Sequence, residues 1–140
     1  MSEARAARLV ELLEAVPYMR FLGMRAELAG DEMTAILPFS QHLIGNQMLP
    51  ALHGGVLGAF LEATAICQLG VREPQRRLPR TIDVTIEYLR PGRALTTYAR
   101  AEVVKLGRRV ANVHVEAWQD TRASPVSALR GHFMLSQDEG

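Results

Sequence analysis

The sequence has one cysteine, Cys67, and no uninterrupted apolar run of about 18 residues. A single cysteine excludes a disulfide within the chain, which is typical of proteins from a reducing compartment. The missing apolar run and the charged residues that follow Met1 predict neither a membrane span nor a signal peptide. From these absences we expect a cytoplasmic protein without a membrane partner.

Aromatic residues make up only 6% of the chain, and no run of basic residues is interleaved with them. Proteins that bind polynucleotides combine a basic groove with stacking aromatic side chains, so we expect no nucleic-acid partner. The four histidines show no metal-ligand spacing with carboxylates or with Cys67. We therefore expect no metal site.

Charge is distributed unevenly along the chain. Residues 1–71 contain four arginines and seven acidic residues, a net charge of −3, whereas residues 72–130 contain eleven arginines, one lysine and six acidic residues, a net charge of +6. Arginine suits bidentate contacts with phosphate, and this excess favours a phosphorylated small ligand. The best candidates for phosphate contacts flank two predicted turns and are Arg90, Arg93, Lys105, Arg108 and Arg109.

The 140 residues fit a single domain, whose elements can be predicted from hydrophobic periodicity and turn residues. We expect a peripheral helix at 4–15, a two-stranded hairpin at 21–29 and 33–39, a loop at 40–52, a long helix from Gly54–Gly55 to a C-cap near Gly70, and four strands at 80–89, 95–106, 110–118 and 126–135. Strict alternation in the first of these four strands places Ile82, Val84, Ile86 and Tyr88 on one face.

The long helix is apolar on most of its circumference, which is typical of a helix buried in a core. The four strands after it are joined by short turns, which predicts a meander. An antiparallel sheet must bury one face, and this helix is the element apolar enough to cover it. The sequence therefore predicts an α+β fold in which an antiparallel sheet wraps around one long helix.

Glu62 is the one acidic residue within this helix. Its neighbours on the same helical face are Gly58, Ala59, Ala65 and Ile66, none of which offers a hydrogen bond to a carboxylate. A group from elsewhere in the fold, either a structural partner or a substrate, must therefore meet the carboxylate. Because Gly58 and Ala59 are small, they leave room for a ligand.

The helix start offers a second chemical group. A helix N-terminus has free N–H groups and the positive end of the helix dipole, both of which suit a developing oxyanion. Gly54 and Gly55 carry no side chain there, so a substrate carbonyl can approach closely.

Several residues with fixed spacing resemble one known family. His53-Gly54-Gly55 opens the helix, Glu62 follows Gly54 by eight residues, Gln47 precedes it by seven, and Tyr88-Leu89-Arg90-Pro91 closes the next strand. This set resembles the PaaI-type acyl-CoA thioesterases of the hotdog fold over roughly residues 20–136.

The resemblance implies a role for each matching residue. Glu62 would be the nucleophile or the general base, and the Gly54 N–H would polarise the thioester carbonyl. Gln47 would orient the water or the carbonyl, with Asn46 as its alternative if the loop is shifted by one residue. Thr81 would assist the carboxylate.

Gly54 and Glu62 lie about 12 Å apart along one helix, at about 1.5 Å per residue, which is too far for both to reach one thioester carbon. Two antiparallel copies bring them together, so we expect a homodimer with shared sites. One subunit would supply Gln47, His53 and Gly54, and the other Glu62 and Thr81. The resemblance agrees with this dimer and implies that such dimers often pair into tetramers.

The sequence thus predicts an acyl-CoA thioesterase that needs no cofactor beyond the CoA of its substrate. Candidate substrate contacts, besides the basic residues, are Asn46, Gly55, Ala59 and Ile66. We expect His53 mainly to support the helix start. Two alternatives stay open, namely a hotdog hydratase or dehydratase that pairs His53 with Glu62 of a second subunit, and a non-catalytic acyl-CoA binding module.

Overall fold

The computed structural model of the chain describes residues 2–135. Its helices are α1 (Ser2–Ala15), α2 (Pro17–Leu22) and α3 (Gly54–Arg72), with one 3-10 turn at Gln41–Leu43. Its strands are β1 (Arg25–Ala29), β2 (Glu32–Leu37), β3 (Ile44–Asn46), β4 (Ala51–Leu52), β5 (Arg80–Tyr88), β6 (Thr97–Leu106), β7 (Val110–Trp118) and β8 (Ser127–Met134).

Six strands form one antiparallel sheet in the order β1-β2-β6-β7-β8-β5, and α3 packs on its inner face. Along β7 and β8, buried residues such as Val113 and Leu129 alternate with more exposed ones, as expected for a sheet with one buried face. Thirteen of the 19 residues of α3 are buried. The predicted α+β arrangement, a sheet wrapped around one long helix, is confirmed.

Helix α3 is long and apolar enough to cross a membrane, but 72% of its most apolar stretch is buried inside the protein. It extends beyond the predicted C-cap at Gly70 and ends at Arg72. Gly70 has a packing role instead, because a Cβ atom there would lie 2.9 Å from Leu12 Cδ1 of α1. The missing side chain lets the two helices approach closely.

The predicted four-strand meander is wrong at its first strand. Strand β5 pairs with β8 and forms an edge of the sheet, so the connection to β6 is a crossover. In this connection the Leu52 N–H donates to the Gly92 carbonyl oxygen at 2.8 Å, and a Cβ atom on Gly92 would lie 2.9 Å from Leu57. The Pro91–Gly92 segment is therefore packed beside the start of α3 and does not close a hairpin.

Two other segments differ from the expectation. The predicted first strand, 21–29, starts with helical residues, because α2 occupies Pro17–Leu22 and β1 begins only at Arg25. Proline suits the first turn of a helix, and Gly23, with φ of 73°, ends this one. The predicted loop 40–52 contains the 3-10 turn and the short antiparallel pair β3–β4.

Candidate active site

Helix α3 and the edge strand β5 pack against each other, and the predicted site lies along their contact. At one end, Tyr88 of β5 reaches Gly54, and at the other end Thr81 reaches Glu62. Between them, a Cβ atom on Gly58 would lie 2.8 Å from Ile86 Cδ1. The small size of Gly58 therefore serves close helix–strand packing, and the expectation that it leaves room for a ligand is wrong.

The Glu62 carboxylate is half-buried and is met from outside its own helix. The Thr81 hydroxyl donates a hydrogen bond of 2.6 Å to Glu62 Oε2. Within residues 2–135 the carboxylate has no ion pair. The sequence argument that a group from another element must meet Glu62 is confirmed, and that group is neutral.

Glu62 lies on the more exposed side of α3. The partly or fully exposed residues along this side are Gly55, Ala59, Glu62 and Ile66, spaced by three or four residues. This spacing makes one continuous helical stripe. Three predicted substrate contacts, Gly55, Ala59 and Ile66, therefore share a solvent-accessible surface with the carboxylate.

The start of α3 has one free amide. His53 is the N-cap, and its Nδ1 accepts a hydrogen bond of 2.9 Å from the Gly55 N–H. The Gly54 N–H has no partner among the residues that the structure describes. Of the two glycine amides, only that of Gly54 is available to an oxyanion, in agreement with its predicted role as donor.

Tyr88 fixes the same region from the strand side, a contact that the sequence reasoning did not identify. Its hydroxyl donates to the Gly54 carbonyl oxygen at 2.7 Å, although the side chain is 55% exposed. The peptide group between Gly54 and Gly55 is thus held at its carbonyl by Tyr88 and at its N–H by His53. The only signal for this in the sequence is a polar aromatic residue at the end of the inward-facing alternation of β5.

The β3–β4 segment carries both candidates for the orienting amide. Asn46 Oδ1 accepts a hydrogen bond of 2.9 Å from the Met48 N–H, so this side chain is engaged in its own turn. The Gln47 side chain is exposed and has no partner within residues 2–135. This geometry favours Gln47 over Asn46. The next residues, Met48 and Leu49, are 92% and 67% exposed.

The two basic groups lie at opposite ends of the sheet. Arg90 and Arg93 follow the Tyr88 end of β5, where Arg93 pairs with Asp120. Lys105, Arg108 and Arg109 lie at the β6–β7 turn, level with the Thr81 end, since Val110 and Arg80 both align with Met134.

These three cations border an open concavity of about 590 Å³ together with Asn112 and His132. None of the three has an ion pair in the described part of the chain.

Cys67 is fully buried in the core. Burial raises the pKa of its thiol to about 12, and this effect outweighs that of the Arg8 charge, which lowers the pKa. Its Sγ lies 3.5 Å from Met19 Sδ. Because the thiolate is the nucleophilic form, this thiol is not a candidate nucleophile.

A profile of the thioesterase superfamily matches residues 49–126, which contain Gly54, Glu62 and Thr81. The chain belongs to this superfamily. As a member it is a thioester hydrolase, in agreement with the resemblance found in its sequence. Within it, the medium/long-chain acyl-CoA thioesterase YigI of Escherichia coli K12 is 31% identical over 133 residues, which cover 85% of this chain and 86% of YigI.

Solved structures show the same fold. A protein from Chromobacterium violaceum has 36% sequence identity and a TM-score of 0.77, covering 99% of this chain and 100% of its own. The PaaI protein of the E. coli phenylacetic acid degradation operon has a TM-score of 0.82 with 18% identity, covering 98% of this chain and 96% of PaaI. The predicted hotdog fold is confirmed.

Proposed function

We propose that this superfamily member hydrolyses acyl-CoA thioesters to a free carboxylate and CoA. In one route Glu62 attacks the thioester carbonyl carbon and the C–S bond breaks, so that CoA leaves as the thiol after protonation and water cleaves the acyl–Glu62 anhydride. In the other, Glu62 removes a proton from the water that attacks the carbonyl carbon, and the same C–S bond breaks. In both, the Gly54 N–H stabilises the oxyanion. The observation that carries this proposal is the 2.6 Å hydrogen bond from Thr81 to Glu62, which orients a carboxylate on the accessible stripe of α3.

The proposed chemistry requires two subunits. Gly54 and Glu62 are separated by about 12 Å along α3, at about 1.5 Å per residue, whereas both must lie about 3 Å from the reacting group. A two-fold axis that places α3 antiparallel to its copy brings Gly54 of one subunit near Glu62 of the other. We therefore propose a homodimer in which one subunit supplies Gln47 and Gly54, and the other supplies Glu62 and Thr81.

The surface around the contact between α3 and β5 supports this dimer. Strand β5 is an unpaired edge of the sheet, and its Ile82 is 48% exposed. Met48 and Leu49, the two residues after Gln47, are more exposed than Ile82. Edge strands and exposed apolar residues are common features of surfaces that pair with another chain. Pairing of two such dimers into a tetramer is a further part of the proposal.

The same axis bears on CoA binding. Arg90 and Arg93 lie at the Gly54 end of β5, and the cluster of Lys105, Arg108 and Arg109 lies level with its Glu62 end. In an antiparallel pair, opposite ends of the two subunits meet, so both basic groups flank each shared site. We propose that they contact the CoA phosphates, with the unpaired cluster as the stronger candidate because Arg93 is already neutralised by Asp120.

The proposed reaction uses protein groups and water, and it involves neither a metal nor a redox cofactor. The name of YigI supports medium- to long-chain acyl groups as the substrate class. The cytoplasmic location inferred from the single cysteine stays a prediction.

The proposal is tested by measuring free-thiol release from short, medium, long and aromatic acyl-CoAs. We expect wild type to prefer the medium- and long-chain members and Glu62→Gln to lose about a hundredfold or more in kcat, the scale usual for a catalytic acid or base. Glu87→Gln is the matched control, because Glu87 lies on the outer face of β5, paired with Arg130.

Equal thiol release by wild type and Glu62→Gln would refute the assignment of Glu62. If no acyl-CoA releases thiol, hydration of enoyl-CoA tests the hydratase alternative, and acyl-CoA binding without turnover would indicate the binding module. A Glu62→Gln variant that binds acyl-CoA without turning it over, beside an active wild type, separates the proposed enzyme from that module.

A further inference from the structure

Strand β5 contains an irregularity next to Thr81. Thr81 aligns with Phe133 of β8, and Asp83 aligns with His132, so Ile82 has no partner across the ladder. One extra residue in one strand of an antiparallel pair is a β-bulge, and such bulges are common next to active sites, where they redirect a side chain.

The bulge decides which way Thr81 points. In a regular strand, side chains alternate, so Thr81 would lie on the outer face with Asp83, while Ile82 would face the helix with Val84. The extra residue turns Thr81 to the helix side, where its hydroxyl reaches Glu62. Ile82 is left 48% exposed. Within one subunit, burial of apolar surface would favour the opposite choice, so packing inside the subunit does not explain the bulge.

The neighbouring strand β8 has a glycine, Gly131, which aligns with Val84, two residues after the bulged Ile82. A Cβ atom on Gly131 would lie 2.9 Å from the Asp83 carbonyl oxygen and 2.9 Å from Val84 Cγ1. Real Cβ atoms essentially never come that close to another atom, and a backbone oxygen in a paired strand cannot move aside as the end of a side chain can. The missing side chain therefore gives the bulged strand its space.

A contact on the outer face holds the same point from the solvent side. His132 Nδ1 lies 2.9 Å from Asp83 Oδ1, which joins the first residue after the bulge to its partner on β8. The bulge is thus accommodated on the inner face by Gly131 and fastened on the outer face by His132.

We infer that Gly131 is a positioning residue for the catalytic carboxylate, because the space it leaves permits the bulge at Ile82 that directs Thr81 onto Glu62. This inference rests on the proposed thioesterase reaction and adds a residue of β8 to it. Gly131 acts through β5 and touches no reacting atom.

The test compares kcat and KM for a medium-chain acyl-CoA in wild type, Thr81→Ala, Gly131→Ala and the double variant, per folded protein. We expect Thr81→Ala to lower kcat about tenfold, the scale of a hydrogen bond to a charged group, with KM nearly unchanged. Gly131→Ala should give a similar loss, and the double variant should be no worse than Thr81→Ala. Thr81→Ser, which keeps the hydroxyl, should keep most of the activity.

Gly70→Ala is the matched control. It adds the same methyl group at 2.9 Å from a neighbouring atom, but against Leu12 of α1, away from β5. We expect it to change thermal stability without changing kcat. A general effect of crowding would lower kcat in both glycine variants.

If Gly131→Ala does not fold, His132→Val provides the second route. This exposed substitution removes the contact with Asp83 and keeps a residue that favours strands. We expect kcat to fall about threefold. This is less than the effect of losing one hydrogen bond to a charged group, because Thr81 keeps its hydroxyl and only its orientation becomes less fixed. The loss should disappear in the Thr81→Ala background.

The outcomes separate this inference from the proposed function. The role of Gly131 is overturned if Gly131→Ala has wild-type kcat, or if its loss multiplies with that of Thr81→Ala in the double variant. The proposed thioesterase reaction would still hold in that case, provided that Glu62→Gln is inactive. If Glu62→Gln keeps wild-type turnover, both fail, because no catalytic carboxylate is then left for Thr81 to orient.

Discussion

The two ends of the contact between α3 and β5 are built in different ways. At the Gly54 end, the proposed reactive group is a backbone N–H, and the peptide group that follows it is fixed by His53, one residue before it, and by Tyr88. At the Glu62 end, the proposed reactive group is a side chain that accepts a hydrogen bond from Thr81, next to the bulge in β5.

This difference has a physical origin. A helix start directs its first N–H groups along the axis whatever the side chains are, so an oxyanion donor there needs little further support. A carboxylate on a flexible side chain has several rotamers, and holding one of them requires contacts from other elements. We therefore expect the Gly54 end to depend mainly on one backbone N–H, with smaller contributions from its neighbours, and the Glu62 end to depend on several side chains.

The largest effect at the Gly54 end is expected from Gly54→Pro. Proline is tolerated at the first position of a helix, and His53, with φ of −62° and ψ of 133°, has the extended conformation that a residue before proline prefers. The substitution therefore removes one N–H group and preserves the helix. We expect kcat for thiol release to fall by about 10²–10³, the usual cost of losing one oxyanion donor.

Gly54→Ala is the control for this variant, because it adds a side chain and keeps the N–H. A Cβ atom at this position would lie 3.5 Å from the Tyr88 ring, which is an ordinary contact. We expect kcat to fall less than about tenfold, because the added methyl group requires only a small steric adjustment. Equal losses in the alanine and proline variants would mean that the free amide is not the donor.

The comparison of the two ends also explains what could be predicted from the sequence. The helix start and the acid within the helix were both located, because a glycine pair before an apolar run and a carboxylate among small residues are local patterns. Membership of the thioesterase superfamily and the hotdog fold followed from the resemblance that these residues carry. Local patterns sufficed where the interactions themselves are local.

Contacts between distant residues were predicted less well. Strict alternation placed Ile82 on the same face as Val84, and the bulge reversed this, because the register of β5 is set against β8, far along the chain. The meander was wrong for a similar reason, since β5 pairs with β8, a distant strand, and not with β6, the strand that follows it along the chain. Thr81 was linked to Glu62 by resemblance alone.

Tyr88→Phe tests the strand side of the Gly54 end and should have an intermediate effect. It removes the hydroxyl that donates to the Gly54 carbonyl and keeps the ring. We expect about a fivefold loss in kcat, the scale of one neutral hydrogen bond of about 1 kcal/mol, with little change in KM. Tyr98→Phe, on a ring that stacks on Trp118 of the neighbouring strand β7, is the control and should keep wild-type kinetics. A rise in KM with kcat unchanged would assign Tyr88 to substrate binding instead.

The smallest effect is expected from His53→Asn, and it decides between the two roles of this histidine. Asparagine is a favoured N-cap, so it can accept the Gly55 N–H in place of Nδ1 and keep the free energy of unfolding within about 0.5 kcal/mol of wild type, measured by urea denaturation. It cannot transfer a proton as imidazole does. If His53 only supports the helix start, kcat stays within about twofold of wild type, because a cap exchange of this kind costs a few tenths of a kcal/mol.

A folded His53→Asn variant that loses about a hundredfold in kcat would instead assign acid–base catalysis to His53 and favour the hydratase or dehydratase reaction. The Gly54 end would then depend on a side chain, as the Glu62 end does, and the contrast between the two ends would no longer hold.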